Sequence, residues 1–140
     1  MREVIADKLT GRATAGDVTI TSEGGSATMQ LQQGVAKGWM KYNQVSTVVD
    51  DSFNVSSVGD DATGDFSQNH TNNMSNANYS TNITTGLSRC FGTNLEDSSG
   101  GGTPDTASTA YFETVYNSSA AVYTKIDMQS NGTVIHGDLA

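Results

Sequence analysis

What most constrains this chain is how little apolar material it has to fold around. Leu, Ile, Val and Phe make up 25 of its 140 residues, and the formal charge is −8. Chains with this pairing of features usually bury too little apolar surface to offset conformational entropy. A lone 14.7 kDa domain of this kind is expected to draw apolar contacts from other chains. The first expectation is therefore a component of an assembly, held as one domain with a small appended segment.

Charge and cysteine content narrow the classes. Residues 1–41 hold five basic and four acidic side chains, whereas 42–140 hold two basic and eleven acidic. An acidic body repels phosphate backbones, so nucleic acid is not expected as a partner. The opening Met-Arg-Glu-Val-Ile-Ala-Asp-Lys does not read as a secretory leader. No apolar run reaches bilayer length, and no membrane insertion is expected. Cys90 stands alone, which excludes an internal disulfide and a multi-cysteine zinc site. The surface is left to Ser, Thr, Asn and Gly, which bond equally well to water and to sugar hydroxyls.

The pattern changes along the chain. Asp17–Thr21 alternates as a short strand. From Ala27 to about Lys37, Leu31, Val35 and Trp39 recur every four residues and predict one stripe of a short helix, weakened by Gly34 and Gly38 and giving way near Gly38 to a strand over 39–43. That stripe is the expected oligomer interface. Beyond Asn43 the chain reads as all-β, with strands over 45–49, 52–58, 65–70, 79–84, 109–116, 121–128 and 133–136. Turn signals separate them at Asp50-Asp51, Gly59–Gly64, Asn72–Asn76, Asn117–Ser119 and Asn131-Gly132. Residues 96–106 read as a longer surface loop. The fold class expected is mainly β, an antiparallel β-sandwich or barrel-like meander with one short N-terminal helix. Residues 1–40 would attach and trimerise, and 41–140 would face outward.

One strand breaks its own pattern. In Asp65-Phe-Ser-Gln-Asn-His70, Phe66, Gln68 and His70 share a face, and neither face is apolar enough for an ordinary core. Water or sister copies are expected to satisfy its amides.

Four stretches taken together carry a resemblance: Leu31-Gln-Gln-Gly-Val-Ala-Lys-Gly-Trp-Met-Lys-Tyr-Asn43, Asp51-Ser-Phe-Asn-Val-Ser-Ser57, Gly64-Asp-Phe66 and Asn73-Met-Ser-Asn-Ala-Asn-Tyr79. In order and spacing they resemble a small tail-fibre-like domain of virion proteins in marine and cyanobacterial bacteriophages. The strand after that glycine reads aromatic-x-aliphatic-x-aromatic in such domains, and Phe66-Ser-Gln-Asn-His70 here. The resemblance implies a virion structural protein, homotrimeric, docked on other proteins of the tail or capsid through its N-terminal segment.

Chemistry finds little footing. His70 and His136 have no nucleophile and orienting acid spaced around them, so no catalytic residue is assigned. Asp60, Asp61 and Asp65 crowd one turn but lack an EF-hand pattern, and they read as turn residues. Neither a metal site nor a cofactor is assigned. Tyr111, Phe112, Tyr116 and Tyr123 read as core filling. The function expected is fibre- or spike-like adhesion to a host-surface glycan, with Asp60, Asp61, Asn72, Asn73 and Asp97 facing the receptor. The alternative is a capsid decoration or head-fibre protein that stabilises the shell.

Overall fold

A computed structural model describes residues 6–12, 18–21, 24–25, 27–86, 90–94, 105–119 and 122–140. The chain divides into two compact units, 1–35 and 36–140. The boundary lies a few residues before the expected one, because the segment from Gly38 already belongs to a strand of the second unit.

In the first unit, β1 (Thr19–Thr21) pairs antiparallel with β2 (Thr28–Gln30), placing Ile20 opposite Met29. A four-residue helix, α1 (Leu31–Gly34), follows and is tied back by the Leu31 amide donating to the Val18 carbonyl at 2.7 Å. The expected helical stripe is therefore corrected. Thr28–Gln30 is claimed by strand pairing, and no side chain caps the helix at Gln30. With an interior glycine costing about 1 kcal/mol, so short a helix does not propagate to Lys37; the strand expected over 39–43 is present and begins at Gly38.

The second unit is mainly β and entirely antiparallel in its pairings. One sheet takes β3 (Gly38–Asn43), β4 (Val48–Phe53), β7 (Ser80–Thr85) and β11 (Asn131–His136) in the order β4-β3-β11-β7. The other takes β5 (Val55–Ala62), β6 (Asp65–His70), β8 (Cys90–Asn94), β9 (Thr109–Ser119) and β10 (Val122–Lys125). Its organiser is β9, the longest strand. Its first half pairs with β6, its middle with β8 and its last half with β10. Neither sheet closes on itself, so the barrel-like alternative is set aside.

Alternation explains the core. Met40 and Tyr42 point inward from β3, Ile135 from β11, Phe66 from β6, and Ala110 and Phe112 from β9. Phe66 bridges them, its ring 5.3 Å from both Tyr42 and Phe112. Met74 and Tyr79 close one end. A single copy thus assembles an apolar cluster, and it extends that cluster with polar groups. Gln44, Gln68, Thr114, Asn131 and Thr133 are as buried as the hydrophobic residues. Thr133 donates to Gln68 Oε1 at 2.6 Å, and the Thr114 hydroxyl lies 2.7 Å from the Ile126 carbonyl. Polar burial costs little where partners are built in, as for the Thr114 and Thr133 hydroxyls; Gln68 Nε2 and Asn131 Oδ1 find none among the described residues. The face of Phe66, Gln68 and His70 is turned into this core and buried; Gln68 Oε1 is partnered by Thr133, while Gln68 Nε2 and both His70 nitrogens have no partner among the described residues.

Three expected turns are strands, and a fourth, Gly59–Gly64, is strand as far as Ala62 in β5. Asp50-Asp51 lies within β4 and Asn117–Ser119 within β9. Asn131-Gly132 opens β11, where Asn131 is paired with both Tyr42 and Thr85. Neighbours on both edges outweigh a local turn preference. The chain bends instead at Thr47 and at Asn54, both at positive φ. Asn54, at φ 58, is the corner between β4 in one sheet and β5 in the other.

Candidate interaction surfaces

The residues expected to act together are spread apart. Leu31 and Val35 lie in the first unit, half-buried and exposed respectively, and Trp39 lies on β3 in the second. Asp60 and Asp61 are exposed near the β5–β6 turn, whereas Asn72 and Asn73 follow the opposite end of β6. Six strand residues at about 3.3 Å each hold these pairs roughly 20 Å apart, so they do not form one receptor site. Asp97 lies outside the described residues. The expected aromatic core filling holds for Phe112, which is fully buried; Tyr111 and Tyr116 are half-buried and Tyr123 is exposed.

Around Asn72 the polar groups have structural work. The Asn72 amide donates to Asn54 Oδ1 at 2.7 Å, while Asn54 Nδ2 donates to the carbonyls of Lys37 at 2.8 Å and Asn72 at 3.1 Å. The Asn73 carbonyl accepts from the Ala140 amide, and Met74 and Ser75 donate to Ala107 and Asp138. The sequence pattern places Asn54 inside a single strand over 52–58, whereas the chain turns at this residue from β4 into β5. Its signal was the lone Asn between two apolar-alternating runs, a position that suits left-handed backbone.

At the other end, Gln44 Nε2 reaches the carbonyls of Ala62 and Asp65, and the Gly64 amide donates to Asp127 Oδ1 at 2.7 Å. Burial, reinforced by Asp60, Asp127 and Asp61, raises the Tyr42 phenol above its usual range. Lys125 joins Asp65 at 2.8 Å and Glu113 at 2.7 Å, which raises its ammonium through those hydrogen bonds. The Asp65 carboxylate is thereby committed to a lysine rather than gathered with Asp60 and Asp61. Among the described residues, no three His, Cys, Asp or Glu side chains are grouped to hold a metal ion.

His70 is 6% exposed, neither ring nitrogen has a hydrogen-bond partner among the described residues, and Tyr79 meets the ring edge-on at 5.8 Å. Desolvation lowers its pKa. A buried imidazole packed this way is filling space.

Two surfaces stand out. The first is the N-terminal unit, where no described residue is buried and Leu9, Ile20, Met29 and Val35 are exposed. The second is the outer face of the β4-β3-β11-β7 sheet. Trp39 lies opposite Phe53 on one side and Val134 on the other, giving an apolar row across three strands. Phe53 is 53% and Val134 36% exposed. Lys41 lies opposite Asp51 in the next outward row. No helix among the described residues is long and apolar enough to cross a membrane. No known protein family, curated protein or solved structure matches this chain.

Proposed function

We propose that this chain is a structural protein of a bacteriophage particle, fibre- or spike-like, and that it binds rather than catalyses. Its N-terminal unit attaches to another virion protein. Its β-unit, two sheets packed as a sandwich, adheres to host-surface glycan. The carrying observation is the contrast between the units: residues 36–140 gather a core, while no described residue of 1–35 is fully buried and Ile20, Met29 and Val35 are exposed. A two-stranded ribbon of three-residue strands is marginal alone, and exposed apolar side chains on it gain stability by docking. The resemblance of the Leu31–Tyr79 stretches to tail-fibre-like domains supports the setting.

The adhesive groups are the exposed side chains of Asn72 and Asn73 at one end and Asp60 and Asp61 at the other. Each contact with a sugar hydroxyl is weak. Repetition in a homotrimer, and over several trimers, makes them useful together.

The test is a phage particle assembled without the chain. Failure to adsorb to the host, restored by adding back the wild-type protein, supports adhesion. Normal adsorption with a heat-labile capsid overturns it in favour of shell decoration.

A further inference from the structure

We propose that the outer face of the β4-β3-β11-β7 sheet is the surface on which a second copy of this chain docks. The inference rests on the reading of the protein as an assembly component; a two-fold contact joins copies in pairs, and so it is additional to the three-fold contact of the proposed homotrimer.

The argument begins with charge. A chain of net charge −8 repels its own copies wherever acids face acids. Among the described cations of residues 36–140, Lys37 is buried and Lys125 is held by Asp65 and Glu113. Lys41 is exposed and takes part in no ion pair among the described residues. It stands directly opposite Asp51, whose Oδ1 accepts from the Ser52 amide at 2.8 Å. One row along the strands, Trp39 stands opposite Phe53. Among the described residues of this unit, the cation outside any ion pair therefore sits beside the aromatic row.

Both rows are self-complementary. A two-fold axis running along the strands between β3 and β4 exchanges those strands. It places Lys41 over Asp51 of the second copy and Trp39 over its Phe53. A patch that satisfies its own rotated image is what an isologous interface requires. Val134 extends the apolar row, and Gly132 beside Lys41 leaves the face flat. Pairing along the exposed edge of β4 is disfavoured instead, since Asp50 and Asp51 of two copies would be brought together.

Sedimentation of the full-length chain over a concentration series tests this, with the emission of its single tryptophan, Trp39, as a local reporter. Wild type should associate, with blue-shifted emission as Trp39 leaves water. Lys41→Asp and Asp51→Lys should each weaken association at least about tenfold, and the two together should return it to within about threefold of wild type. These side chains lie at the surface, and unchanged thermal melts establish that each variant is folded. Single swaps without effect, or a double swap that fails to restore association, overturn the proposal. If instead Ile20→Asp with Met29→Asp abolishes association while the swaps are silent, the contact lies on the N-terminal ribbon: the face is wrong and the assembly reading survives. A wild type that stays monomeric throughout removes both. A monomer whose Trp39 emission shifts on adding host polysaccharide assigns this face to glycan and also overturns the proposal.

Discussion

At the scale of single residues, stability depends on polar side chains placed where apolar ones would be commonplace. His70 is buried with its pKa lowered by desolvation, so the folded chain takes up a proton there less readily than the unfolded chain. Its contribution is fully present above the ordinary histidine value of about 6.5 and is lost as pH falls from there through the folded value. Urea unfolding at pH 7.5 and pH 5 should therefore show a drop for wild type that is smaller for His70→Leu; equal drops would exclude His70 as the cause. Asn54 carries two burdens, a φ of 58° and the side-chain bonds to Lys37 and Asn72. Asn54→Ala should cost about 2–3 kcal/mol, combining left-handed strain with lost hydrogen bonds. Asn54→Gly relieves the first burden alone and should cost less, as measured by denaturant midpoints.

At the scale of elements, the β5–β6 turn is the clasp of the second sheet. Gly64 has φ 77°, and a Cβ there would lie 2.6 Å from the Thr114 carbonyl oxygen and 2.8 Å from the Ile126 amide. The Gly64 carbonyl also accepts from the Thr114 amide at 2.7 Å, and the Thr114 carbonyl from Ile126. Gly64→Ala should lower stability by at least about 2 kcal/mol, with the melting temperature falling accordingly. A neutral substitution would mean that the turn is not a tight junction. The legibility of elements follows the same logic. β6 was readable to the residue, and β7 and β9 nearly so, because alternation and flanking turn residues agree there. β8 was missed because Cys90–Asn94 has a single strong apolar residue, Phe91, and owes its pairing to β9. Leu31, Val35 and Trp39 match a helical period by count alone. Pairing of β2 with β1, and of β3 with both β4 and β11, decides their conformation instead.

At the scale of the molecule, the two units should answer differently to the same kind of damage. Ile20→Asp with Met29→Asp removes exposed apolar side chains from the ribbon without touching the core of residues 36–140. The thermal transition of the β-unit should stay within about 2 °C of wild type, while incorporation into particles should fall to background. A large fall in the melting temperature would show that the ribbon supports the β-unit, and normal incorporation would show that attachment lies elsewhere. The candidate surfaces were only partly legible. Trp39 was singled out from the sequence, yet Phe53, Val134, Lys41 and Asp51 join it only through strand register.

By itself the sequence determined a mainly β chain whose sparse apolar side chains alternate with serine, threonine and asparagine, with little charge beyond its acids. Local alternation and composition carry that much, since they depend on nearest neighbours along the chain. Only the tertiary structure decided that Gln68, Thr114, Asn131 and Thr133 are interior. A buried amide oxygen is tolerable when another strand supplies its donor, as Thr133 does for Gln68 Oε1 from 65 residues away. The same long-range pairing decided which face is left uncovered.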